Sequence, residues 1–184
     1  MTPHPQEAWD GDTTRPQKAR NDDTTHSQEA QDSDTTRPQE ARDGDTTAFE
    51  ALMAEVMGTA ERFGHREHVH LTWLAVRRYG VSPAVDLICD GIRRTARYAG
   101  APRKYHVTVS RAWVELVGHH AGESGEDDFA EFAGRHPALL DKRLLTRFYR
   151  PATLAGPRAR TGWVEPDLTP FPWQEGDRRL TVKP

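Results

Sequence analysis

The sequence predicts an all-α protein. It should form a compact bundle of five to six helices in residues 48–184, with an extended Pro- and aromatic-rich C-terminal segment and a disordered N-terminal repeat arm in residues 1–47. Three observations carry this expectation. From Phe49 onward apolar residues recur at steps of three and four, the signature of an amphipathic helix. No stretch alternates apolar and polar residues as a half-buried strand does. The first 47 residues hold almost no aliphatic side chain. A length of 184 residues suits one domain.

The arm is a tandem repeat. From Pro5 the chain reads PQEAWDGDTTR, PQKARNDDTTH, SQEAQDSDTTR and PQEARDGDTTA, four 11-residue copies ending at Ala48. A period of 11 matches a helix of about 3.67 residues per turn, but the copies carry no apolar stripe. Their Pro, Gly, Asp and Thr-Thr residues also oppose helix interiors. Such a segment cannot bury enough surface to offset chain entropy, so it reads as a solvating linker. A binding function specific to the repeat is the alternative.

In the domain, Phe49, Leu52, Met53, Val56 and Met57 mark a first helix ending near Gly64, with Thr46 or Thr47 as its N-cap and Glu50 at the capping-box position after Thr47. A second helix, about His65 to Tyr79, carries His65, His68, Val69, Thr72, Trp73, Val76 and Tyr79 on one face and closes at Gly80. Ser82-Pro83 opens a third, with Val85, Ile88, Cys89, Ile92, Ala96 and Ala99 inward and Gly100-Ala101-Pro102 at its end. The fourth runs from about Tyr105 to His120, and His106, Val109, Ser110, Trp113, Leu116 and Val117 line its buried side. Its β-branched opening, Val107-Thr108-Val109, also suits a strand. Ser124 is expected to cap a short helix with Phe129, Phe132 and Ala133 inward. Beyond Pro137, a further helix is expected to use Leu139, Leu140, Leu144, Leu145 and Phe148. After Pro151, Pro157, Pro166, Pro170 and Pro172 with Trp163, Phe171 and Trp173 predict an extended wrap anchored by aromatic rings.

Charge and cysteine content exclude several classes. The chain has 28 acids and 25 bases, but residues 1–47 hold 11 acids and 5 bases, leaving 17 acids and 20 bases for residues 48–184. The domain is mildly basic, below the Lys/Arg density that points to nucleic acid, so no nucleic-acid partner is expected. The single cysteine, Cys89, forbids an intrachain disulfide and a Cys-based zinc knuckle. No apolar run reaches the roughly 18 residues of a membrane helix, and the polar start lacks the apolar core of a secretion signal. The expectation is a cytoplasmic protein without a membrane partner. GxSxG, glycine-rich phosphate loops and dinucleotide fingerprints are missing, which argues against serine hydrolase, NTP and NAD chemistry.

The chemistry that remains lies in histidines. At 100° per residue His65 falls at the centre of the second helix's apolar stripe and His68 about 60° to one side, while His70 lands outside with Arg66 and Arg77. His106 leads the inner stripe of the fourth helix. Each neutral ring has one N–H donor and one bare nitrogen, so burial requires partners. One solution is hydrogen bonding. The other is a divalent metal, zinc, iron or manganese, held by His65, His68 and His106 with an open coordination position. Glu165 or Asp141 could be carried in by loops as ligand or general base; Glu67 is on the wrong face. His119 and His120 fit the last carbonyls of their helix, and His136 a surface turn.

Several motifs also resemble those of a family of small uncharacterised bacterial proteins. These are Phe63-x-His65-x-x-His68 with Trp73, Lys104-Tyr105-His106-x-Thr108, Asp141-Lys142 with Tyr149, and Ala159-Arg160-x-x-Trp163-Val164-Glu165-Pro166-Asp167. The resemblance spans roughly residues 60–168. It implies that His65, His68, His106 and Glu165 act together, and it implies no substrate. Two readings follow. One is a small metal-dependent enzyme acting on a small, anionic molecule, with Glu165 as its catalytic residue. The other is a non-catalytic binding or regulatory module. It would use the face of Arg93, Arg94, Arg97, Arg103 and Lys104 for an anionic ligand or partner protein. Direct DNA binding would need a recognition helix, and none is identified.

Overall fold

In the computed structural model, residues 39–123 and 125–174 are described, and helix is the only regular structure among them. The expected arm therefore lies outside the described residues, except where its fourth repeat copy enters α1 (Gln39–Met57). That entry corrects the expected boundary at Ala48. Thr46 and Thr47 do not cap the helix. Their hydroxyls donate to the carbonyls of Arg42 and Asp43 at 2.8 and 3.0 Å, bonds that keep both threonines within the helix. Propensity alone opposes this turn, but extending a helix already anchored by Phe49, Leu52 and Val56 costs far less than nucleating one.

Helix α2 (His65–Tyr79) is the centre of the bundle. Every residue from Leu71 to Val76 is buried, as befits a helix surrounded on all sides. The single apolar face expected for it was too narrow, because Leu71, Leu74 and Ala75 are buried as well, whereas Tyr79 is exposed. Gly64 precedes α2, and its N–H is held by the Glu67 carboxylate at 2.9 Å.

Gly80, at φ +82° and ψ 168°, joins α2 directly to α3 (Val81–Tyr98). That conformation is nearly restricted to glycine, so the tight corner depends on the missing Cβ. Helix α3 thus begins before Ser82-Pro83. Its buried stripe is Ala84, Leu87, Ile88 and Gly91, rotated from the expected one. Gly91 is the floor for the Phe49 ring, which lies where a Cβ would project. The end of α3 is a Schellman motif. Gly100 has φ +67°, its N–H reaches the Arg97 carbonyl at 3.0 Å, and the Ala101 N–H reaches that of Ala96 at 2.9 Å.

Helix α4 (Val107–Glu123) packs on α2 and α3, so its β-branched start is helical. His106 stands just before it rather than on its inner stripe. Asp128, not Ser124, caps α5 (Phe129–Arg135), accepting from the N–H groups of Ala130 and Glu131; Ser124 lies outside the described residues. The helix expected through Leu139–Phe148 is two 3-10 turns, Pro137–Leu140 and Leu144–Arg147. Asp141 separates them and accepts from the Arg143 N–H at 2.9 Å. Two short helices follow, α6 (Pro151–Ala155) and α7 (Pro157–Thr161), each opened by a proline at its first turn. The chain beyond them is irregular up to residue 171, turns helical again at 172–174, and is pinned by Phe171, fully buried between Trp163 and Trp173. No described helix is long and apolar enough to cross a membrane.

Candidate functional site

The three histidines expected to share a metal each have a different environment. The Nε2 of His65 lies 3.0 Å from the Leu139 carbonyl, and its ring meets Trp113 edge-on at 4.6 Å. A carbonyl oxygen only accepts, so Nε2 carries the proton. His106 Nε2 donates to the Leu154 carbonyl at 2.8 Å in the same way, while its Nδ1 accepts the Val109 N–H at 3.3 Å. Both nitrogens of His106 are thereby used: it is the N-cap of α4 and a tie to α6. His68 differs. Its Nε2 is buried with no hydrogen-bond partner among the described residues. Burial, reinforced by His65, pushes its pKa down to about 4. Desolvation also lowers the pKa of His65, against the opposing pull of the Leu139 bond and Asp141.

These donor arrangements do not fit a metal. Among the described residues, no three His, Cys, Asp or Glu side chains gather as metal ligands. His65 and His106 present protonated Nε2 atoms to carbonyls. Of the three rings expected to form a metal centre, His65 and His106 work as hydrogen-bond ties, while His68 keeps an unpartnered Nε2 among the described residues.

Glu165, expected as the catalytic carboxylate, is also committed elsewhere. It accepts from the Trp163 indole N–H at 2.6 Å and from the Gln174 amide at 2.8 Å. It lies in a groove of about 700 Å³ with Arg111, Glu115, His119 and Trp173, and none of the three histidines lines that groove. The ring faces there are already used: the Arg111 guanidinium sits 4.4 Å from the centre of Trp163, and Trp173 packs between Phe171 and His119.

The motif residues do converge, as a latch. Thr108, fully buried, donates to the Gly162 carbonyl at 2.7 Å and accepts the Val164 N–H at 3.1 Å. The buried Tyr149 hydroxyl donates to the Val164 carbonyl at 3.0 Å. Asp167 accepts from Thr153 at 2.6 Å and from the Arg150 N–H at 2.9 Å, and these bonds lower its pKa. Arg160 donates to the carbonyls of Arg103 at 2.6 Å and Tyr105 at 3.4 Å. Together with His106, these bonds fasten α6, α7 and the segment after them onto the start of α4.

The same latch assembles a basic end that the helix-by-helix reading understated. Residues 91–114 and 142–164 each hold six Lys or Arg and no acid, accounting for 12 of the 20 bases in residues 48–184. Arg160 binds the first stretch to the second. Arg93 and Arg94, expected on the open face, are partly withdrawn: Arg93 pairs with Asp90 at 3.1 Å, and Arg94 lies over Phe49. Arg97, Arg103, Lys104, Arg158 and Arg160 are exposed, and none forms an ion pair among the described residues. Counting where acids are missing, rather than where bases occur, would have found this end in the sequence.

The other reactive groups and clefts are quieter. Burial raises the Cys89 thiol to about 11 despite a hydrogen bond with Tyr105, so it is protonated at neutral pH and a poor nucleophile. His70, expected on the outside, stacks on Phe129 at 4.1 Å in a groove where Arg77 and Arg78 already pair with Asp127 and Glu55. The rings of His119, His120 and His136 contact one another in series. No family model matches the chain, and comparison with curated proteins and with solved structures finds no similar one.

Proposed function

We propose that the domain is a non-catalytic binding module which engages an anionic ligand through its basic end, in a protein of the cytoplasm. One observation carries the reading. Arg160 joins two acid-free segments, so that five exposed cations at the end of α3, the 3-10 turn Pro102–Lys104 and α7 are gathered at one end without ion-pair partners among the described residues. Leaving such a cluster unpaired costs stability through like-charge repulsion, which an anion would relieve. The metal-enzyme alternative lacks a comparable support, because two of its three expected ligands, His65 and His106, already bond backbone carbonyls.

Retention of the full chain on immobilised heparin tests the proposal. The wild-type protein, despite its net charge of −3, is expected to bind at low salt. The Arg97→Glu/Lys104→Glu variant should elute at markedly lower salt with an unchanged circular dichroism spectrum. Equal elution of the two proteins would remove the basic end from consideration.

A further inference from the structure

The basic end contains a residue that charge alone does not explain. Tyr98, in the last turn of α3, is 97% exposed, the most exposed of the large apolar side chains described. Its flanks are Arg97 on one side and, across the Schellman turn, Arg103 and Lys104 on the other. The turn is built from Ala99, Gly100, Ala101 and Pro102, so no bulky side chain screens the phenol ring. The backbone beneath it is fixed by the two Schellman bonds and by Arg160, which holds the Arg103 and Tyr105 carbonyls. A flat aromatic ring on a rigid base, 97% exposed and close in sequence to cations without ion pairs among the described residues, has no role in packing the bundle.

We infer that this end binds single-stranded nucleic acid, with Tyr98 stacking on an unpaired base while Arg97, Arg103, Lys104, Arg158 and Arg160 follow the phosphates. The inference rests on the anion-binding reading above and narrows it to one ligand class. Two features favour a single strand over a duplex. Every base has a π-face, but a duplex hides those faces within its stack, so an exposed ring finds a partner only where bases are unpaired. A groove-reading helix must also protrude, whereas α3 is packed against α1, α2 and α4 and offers only its C-terminal end. The expectation of no nucleic-acid partner came from averaging charge over the whole domain, and that average conceals the segregation of bases from acids.

Anisotropy of labelled oligo(U) and oligo(dT) with the full chain decides the matter, with a duplex of equal length and heparin as comparison probes. Oligonucleotide binding is expected to weaken about tenfold in Tyr98→Ala, as loss of one stacked base predicts, and to be restored in Tyr98→Trp. Heparin retention should be the same in all three proteins. The affinity should fall with salt at a log–log slope of about −3.5, as roughly five phosphate contacts give on a single strand. Because Tyr98 is exposed, its replacement leaves the fold intact. Heparin binding without oligonucleotide binding, or equal affinity of wild type and Tyr98→Ala for the oligomers, would overturn the nucleic-acid inference and leave anion binding standing. Absence of heparin binding as well would end both.

Discussion

His68 is the residue whose chemistry the fold constrains most. In the unfolded chain its imidazole takes up a proton near pH 6.5; in the folded protein the ring resists until about pH 4, chiefly because it is desolvated. A base with a depressed folded pKa stabilises the fold fully above its unfolded pKa, and that stability is lost as pH falls toward the folded value. The window is therefore about pH 6.5 down to 4, and the largest possible loss is about 3 kcal/mol at 1.36 kcal/mol per unit. His65 and His70 are lowered by burial as well and steepen the same slope. Denaturant unfolding of wild type and His68→Leu, measured from pH 7.5 to 4.5, checks this. The variant should lose less stability on acidification, since its neutral side chain needs no protection from a proton. Parallel curves would mean that the ring is not kept neutral by burial. The histidine stripe of the second helix was legible in the sequence, because the 3.6-residue period fixes which side chains turn inward. The bonding of each ring was not, because Leu139 and Leu154 supply their carbonyls from segments whose placement depends on the whole fold.

Between elements, the decisive contact is ring against glycine. The Phe49 ring of α1 occupies the space where a Cβ on Gly91 of α3 would lie, with a ring carbon only 2.1 Å from the added atom. The Gly91→Ala change cannot be absorbed without moving Phe49, which is itself buried. The expected cost is about 1–3 kcal/mol, typical of overpacking a closed core. Hydrogen exchange should localise the damage to α1, with faster exchange over residues 49–57. An unchanged melting temperature and unchanged protection there would show that α1 is not docked through Phe49. Helical periodicity exposed the inward residues of α1 and α4, but it misjudged two kinds of feature. Thr46 and Thr47 have the composition of a boundary and yet sit inside a helix, because tertiary anchoring further along extends it. Leu139 to Phe148 have the composition of a helix and yet form two 3-10 turns, because the Asp141 carboxylate binds the backbone and interrupts the run.

For the molecule as a whole, the basic end exists only while distant parts of the chain stay joined. Arg97, Arg103 and Lys104 belong to one stretch and Arg158 and Arg160 to another, and α7 is fastened to α4 by the buried Thr108 hydroxyl, which bonds both Gly162 and Val164. Thr108→Val retains the shape of the side chain but leaves a carbonyl and an N–H without a partner. That costs about 1–3 kcal/mol for each unsatisfied group. The strain falls on the segment after α7, where it should loosen the hold of Arg160 on the Arg103 carbonyl. The variant has the same net charge and the same number of cations as the wild type. If binding depended on charge count alone, the two proteins would leave a heparin column at the same salt concentration. If binding depends on a field assembled from both stretches, Thr108→Val should elute earlier, and limited proteolysis should cut it faster between residues 157 and 168. Identical elution alongside faster cleavage would show that each stretch binds independently, and that the latch serves stability without shaping the surface.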